Sequence, residues 1–138
     1  MHIPFNFAER ATAAFNTRDL DGLLALMSED FHFVDPMTET RGHEGTRARE
    51  QALFDAFPDV TVEMSPVAWN DRHMAMTAMF TGTFTGSLAI GDHLIPPNGK
   101  PFRFRFAGFF TFNDTHATHE EVFYDRVTLM QTLGQDPG

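Results

Sequence analysis

Phe31-His32-Phe33-Val34-Asp35-Pro36 sets a carboxylate at the end of an apolar run. Period-two alternation makes the run a short strand and puts Phe31, Phe33 and Asp35 on one face. A carboxylate that faces the same way as two phenyl rings is costly unless it is partnered or used, and the use open to it is proton transfer. An aspartate ahead of a proline also suits an Asx-type turn bonded to Thr38 or nearby backbone, so both readings stand at this point. Parity on a late strand puts Glu120, Val122 and Tyr124 on one face, where Tyr124 or Glu120 can reach a pocket. His32 alternates to the face opposite Asp35, which suits surface or helix packing better than chemistry. His116 and His119 are three apart on a turn and a strand with no third ligand in view, so no metal site is expected.

The elements that must position these groups follow from the apolar periods. Phe7 to Asn16 reads as a helix with Ala8, Ala11 and Phe15 at helical spacing. Asp19 caps a second helix, Leu20 to Met27, and Thr46 caps a third that Pro58 ends. From Val60 the period becomes two. Val60 to Trp69 and Met74 to Phe84 form a hairpin across the turn Asn70-Asp71-Arg72, with Gly82 and Gly86 marking bulges or bends. Ser87 to Lys100 carries Gly91, Pro96, Pro97 and Gly99, too many breakers for a regular element, and reads as a loop or lid. Phe102 to Phe112 then places Phe102, Phe104, Phe106, Gly108, Phe110 and Phe112 on one face. Arg103 and Arg105 fall on the other face, where Glu121 is expected across the ladder. Thr118 to Tyr124 is the last strand, and Asp125 caps a short terminal helix ended by Gly134.

Composition removes whole classes of function. A chain of 138 residues with 42% hydrophobic content forms one domain, 1–138, around one core. A net charge of -9 argues against nucleic acid and anionic membrane as partners, because a phosphate backbone calls for a concentrated basic face. Arg41, Arg47 and Arg49 are the one dense basic cluster, diluted by Glu44 and Glu50. The absence of cysteine excludes a disulfide framework and a thiolate nucleophile. Met1 to Ala8 has neither a basic segment nor a long apolar one, and the expectation is a cytoplasmic protein. With 16 Phe and eight Met against one Tyr and one Trp, the apolar surface suits a dry core or an adaptable apolar cavity.

Three helices, a short strand and then long strands describe an α+β domain, a cone-shaped curved antiparallel sheet packed by three N-terminal helices with a short C-terminal helix. The pattern is similar to the nuclear transport factor 2-like superfamily. Ala13-Ala14-Phe15-Asn16-Thr17-Arg18-Asp19-Leu20-Asp21-Gly22-Leu23-Leu24-Ala25-Leu26-Met27, with Asp30 and Val34-Asp35-Pro36, resembles the opening of the ketosteroid isomerases. Thr81-Gly82-Thr83-Phe84-Thr85-Gly86, Pro97-Asn98-Gly99-Lys100, and Tyr124-Asp125-Arg126 through Gln131-Thr132-Leu133-Gly134 resemble the SnoaL-like polyketide cyclases. The resemblance implies an enzyme without a cofactor, paired as a homodimer through the outer sheet face, with the isomerases' general base on Asp35. It sets their enolate-binding Tyr and protonated Asp on Ala11 and Gly108, and the cyclases' His and acid-base Asp on Gly108 and Val122. No hydrogen-bond donor remains at those positions.

The resulting expectation is isomerase, cyclase or lyase chemistry on a hydrophobic carbonyl compound. Asp35 is the base, and Tyr124 or His32 donates to the oxyanion. The substrate pocket is expected from Phe15, Phe31, Phe33, Phe54, Trp69, Met76, Phe80, Phe84, Phe104, Phe106, Phe110, Glu120 and Val122. Two alternatives stand beside it: a non-catalytic binder of a small hydrophobic ligand, favoured by the lost donors, and a dimerisation module presenting Phe109 and Phe123.

Overall fold

The strict alternation of residues 102–112 builds the strand against which the other elements are arranged. The computed structural model describes residues 3–135. Met1 and His2, the start of the segment read for a targeting signal, lie outside the described residues. In chain order the elements are α1 (Ile3–Asn16), α2 (Leu20–Leu24), β1 (Met27–Val34), β2 (Glu39–Arg41), α3 (Gly42–Ala56), β3 (Thr61–Trp69), β4 (His73–Thr83), β5 (Leu88–Ile90), β6 (His93–Ile95), β7 (Pro101–Phe112), β8 (Ala117–Phe123) and α4 (Arg126–Thr132). Six strands form a curved sheet in the order β2-β1-β8-β7-β4-β3. No helix among the described residues is long and apolar enough to cross a membrane.

On β7, Phe102, Phe104, Phe110 and Phe112 are buried while Arg103, Arg105, Ala107 and Phe109 are exposed, as the period-two pattern requires. Met74, Met76 and Ala78 of β4 continue that inner face. Helix α1 crosses β3, where the Asn16 amide donates to the Val62 carbonyl at 3.1 Å and accepts from its N–H at 2.8 Å. That exchange ties the end of α1 to the edge strand. Helix α3 lies against β1, so both long helices cover the concave face.

Several elements depart from expectation for identifiable reasons. The sheet is not wholly antiparallel: β1 pairs with β8 in parallel, because the chain returns to β1 only after completing the β3, β4 and β7 strands. Helix α2 stops at Leu24 rather than Met27, since the Leu26 carbonyl is taken by Ala117 N–H at the start of β8. Helix α3 begins a turn before Thr46, whose hydroxyl donates back to the Gly42 carbonyl at 3.0 Å from inside the helix. Ser87 to Lys100 is not wholly loop. Ile90 and His93 flank a two-residue Gly91-Asp92 connection, and the positive φ of 55° at Gly91 is what such a hairpin turn needs. Gly82 marks no bulge, for it pairs with Phe102 in a ladder that runs without a shift. Arg103 and Arg105 pair with β4 alone, beyond the β8 ladder, so Glu121 stands opposite Phe109 instead.

Gly108 is fixed by packing. A methyl group there would come within 2.8 Å of the Glu121 carbonyl oxygen and 3.0 Å of the Met76 thioether methyl. Gly108→Ala is expected to lower unfolding stability by about 1–3 kcal/mol, the usual cost of overpacking a closed interior. Urea denaturation checks this, and an unchanged midpoint would contradict the packing described.

Candidate active site

The helices and the concave sheet face leave a cavity of about 640 Å³ between them. Its walls are phenyl rings in linked groups. Phe7 meets Phe110 and Phe112. Phe15 meets Phe54 and Phe80, with Phe80 in turn on Phe106. Phe57 stacks on Phe102, which leads through Phe104 to the edge of Tyr124 at 5.3 Å. Into this apolar space the chain brings Asp35, Arg49, Glu50, Glu120 and Tyr124.

Asp35 is both a turn residue and a cavity residue. Its Oδ1 accepts from the Met37 N–H at 2.8 Å, the Thr38 N–H at 2.7 Å and the Thr38 hydroxyl at 3.1 Å. The turn thus anchors the carboxylate at the mouth of β1 without removing it from the cavity. Tyr124, just past β8, lines the same cavity as Asp35. Burial first, then the nearby charge of Asp35 and hydrogen bonding toward it, push the phenol pKa far above its ordinary value, so Tyr124 remains an O–H donor.

Glu120 has a perturbed carboxyl. Across the parallel ladder its partner is Phe33, and across the antiparallel one it is Phe110. Set between two phenyl-bearing positions, it is pushed from the ordinary 4.5 up to about 7, chiefly by burial. Arg49 pulls it down, and the charges of Glu50 and Asp35 push it up. Glu50, on α3, is 6% exposed and also raised by burial, against the pull of Arg49. The Arg49 guanidinium lies 3.5 Å over the Phe33 ring and bonds Glu50 at 3.0 Å. Thr12 and Thr40 also line the cavity, and their hydroxyls are buried with no hydrogen-bond partner among the described residues.

Of the residues expected at the pocket, Phe15, Phe33, Asp35, Phe80, Phe104, Phe106, Phe110, Glu120, Val122 and Tyr124 line the cavity. The others do not. His32 sits on the opposite face, 2.5 Å from Glu39 and edge-on to His119, because strand alternation carries it away from Phe33. Phe31 and Met76 are buried in the core, and Phe84 packs behind Phe57. Phe54 lies behind Phe15 under the Arg18 guanidinium, and Trp69 is half-exposed at the end of β3. His116 and His119 bond the neighbouring hydroxyls of Thr115 and Thr118. Arg49, Glu50, Met37, Thr38, Leu88 and Ile90 were not anticipated. The signal for the first two was their position at i+3 and i+4 from Thr46 and one turn before Leu53 and Phe54, on the apolar stripe of α3. For Leu88 and Ile90 it was the Gly-Asp turn between two apolar segments.

A family model described as SnoaL-like polyketide cyclase matches residues 6–133. No curated protein matches the chain in sequence. Among solved structures, TsrD from Streptomyces laurentii superposes with a TM-score of 0.81 at 21% identity, covering 96% of this chain and 95% of that one. Wild-type IdmH from Streptomyces antibioticus gives 0.76 at 23% identity over 96% and 99% of the two chains. TerC, co-crystallised with polyporic acid, gives 0.76 at 17% identity over 96% and 99%. At these identities the structural likeness establishes a shared fold.

The raised titration of the half-buried Glu120 has a consequence for stability. Between pH 4.5 and about 7 the folded chain holds a proton that the unfolded chain releases, so this group's contribution falls as pH rises through that interval. The penalty is complete above about 7 and is on the order of 3 kcal/mol. Glu120→Gln is therefore expected to be more stable than the parent at pH 8, with the advantage vanishing below pH 4.5. Urea unfolding across that range measures it, and a difference independent of pH would contradict the assignment.

Proposed function

The chain belongs to the SnoaL-like polyketide cyclase family, and from that premise we propose that it moves a proton beside a carbonyl group in an apolar, ring-shaped small molecule. The observation that carries this reading is a carboxyl set between Phe33 and Phe110 on the wall of a phenyl-lined cavity, surroundings that push its pKa up to about 7. A general acid-base group works best when its pKa lies near the working pH, since it can then both take and return a proton. The volume of about 640 Å³ falls in the range of small-molecule sites, and the walls offer stacking faces for a planar ring system.

In the proposed reaction Glu120 takes a proton from the carbon next to the carbonyl. The C–H electron pair moves into the enolate and the charge gathers on oxygen. Tyr124, held as the protonated phenol beside Asp35, supplies an O–H donor for that oxygen. Return of the proton to another carbon, attack of the enolate on a second carbonyl, or loss of a leaving group gives isomerase, cyclase or lyase outcomes respectively. A proton transfer of this kind changes no oxidation state and asks for no redox cofactor.

A second reading keeps Asp35 as the base, favoured by its place in the same cavity beside Tyr124. A binding protein without turnover is the alternative from another class. We also propose the outer sheet face for a homodimer, where Phe109 and Phe123 are 56% and 51% exposed and lie edge to face at 6.1 Å.

The test is hydrogen exchange at the α-carbon of a panel of apolar cyclic ketones in deuterium oxide. Wild-type chain is expected to catalyse exchange, with Glu120→Gln slower by about 10²- to 10⁴-fold and Asp35→Asn less affected. Loss confined to Asp35→Asn would move the base to Asp35. Full exchange in both variants would sink the catalytic reading, and tight retention of a ketone without exchange would favour the binder.

A further inference from the structure

Arg49 and Glu50 are adjacent on α3, yet both turn toward the cavity rather than toward solvent. Arg49 uses one nitrogen, Nη1, on Glu50 Oε1 at 3.0 Å. Its Nε and Nη2 are buried with no acceptor among the described residues, and Glu50 Oε2 is buried with no donor. Such orphaned charged groups are expensive, and the cost falls only if a partner comes within reach. The guanidinium is laid over Phe33, and Phe33 is the ladder partner of Glu120. The carboxyl that stands across the ladder from that ring, and that feels the Arg49 charge, is Glu120.

We infer that Arg49 and Glu50 form a positioning pair for Glu120, in which one guanidinium is shared between two carboxyl groups and its allegiance sets which of them carries the proton. When Glu120 is ionised, Nε and Nη2 turn to it and Glu50 takes up the proton that Glu120 has given up. When Glu120 is protonated, Arg49 remains with an ionised Glu50, the arrangement in which Nη1 bonds Oε1 at 3.0 Å. Coupled carboxyls of this kind titrate as a pair. The other charged or titratable groups facing the cavity around Glu120 are Asp35 beyond β1 and Tyr124 beyond β8; Glu39 of β2 lies at its rim with its exposed carboxylate on His32 of the opposite face. Strand β7 presents Phe110 to Glu120, helix α1 presents Phe7 and Thr12, and α4 presents Leu129, none of them titratable in this range. Any shift caused by Arg49 or Glu50 is thus read against a fixed background.

This inference rests on Glu120 as the proton carrier, and its test reads protonation directly rather than turnover. The probe is the infrared band of the protonated carboxyl, followed through a pH titration of the full chain, with Glu120→Gln identifying the Glu120 contribution. Glu50→Gln removes a negative neighbour and frees Arg49, so the Glu120 midpoint is expected to fall by about one pH unit or more. Arg49→Gln removes the opposing charge, so the midpoint is expected to rise by about as much. A purely structural role would not drive the two variants in opposite directions. Movement in the same direction, or no movement in either, overturns the pair. Should Arg49→Gln fail to fold, Glu50→Gln decides alone, a lower midpoint supporting the inference and an unchanged or higher one overturning it. Opposed shifts together with full ketone exchange by Glu120→Gln would leave the pair standing and remove only the catalytic reading.

Discussion

The cost of holding the Glu120 carboxyl between Phe33 and Phe110 governs how the rest of the cavity is built. Those phenyl rings come from β1 and β7, the two neighbours of β8, so the sheet topology itself flanks the half-buried carboxyl with apolar surface. A charge in that position needs an opposing charge close by, and α3 brings Arg49 over the Phe33 ring. Arg49 in turn needs an acceptor that does not depend on Glu120, and Glu50 provides it. Each buried group is the physical reason for the next. The arrangement is poor economy for stability alone, which is the argument for assigning it a function.

Asp35 and Tyr124 form a separate polar centre in the same cavity. The Asx turn over Met37 and Thr38 and the cavity position of Asp35 describe one geometry, because the turn bonds gather on a single oxygen. Holding the carboxylate rigidly lets it bond Tyr124 and contribute to the field felt at Glu120. The position that the isomerase resemblance marks on Asp35 therefore influences both proposed proton-handling groups. Gly108 and Val122 carry no polar side chain, and the packing around Gly108 leaves no space for one.

Much of this was legible in the sequence because sheet parity is a strong signal. The alternation of Phe102 to Phe112 located the inner wall, and the parity of Glu120, Val122 and Tyr124 oriented the last strand. Asp125 capping α4 also followed from local chemistry, since its side chain accepts from the Val127 N–H at 3.1 Å. Legibility failed where residue type and environment disagree. Arg49 and Glu50 read as surface charges by composition, and only their spacing on α3 marks them as inward. The β5–β6 hairpin was hidden by the prolines that follow it, although Gly91-Asp92 announced its turn. Phe31, Phe54 and Phe84 have the right chemistry for a pocket wall. Whether a phenyl ring lines a cavity or fills the layer behind it depends on three-dimensional packing that periodicity does not encode.

The most direct measurement is a carbon-13 NMR titration of the glutamate side-chain carboxyls in the full chain, with the Glu120 resonance assigned by its loss in Glu120→Gln. The account predicts a midpoint near pH 7 for that carboxyl. A midpoint near the ordinary 4.5 would show that Glu120 is solvated and unperturbed, and would contradict the cavity chemistry at its centre.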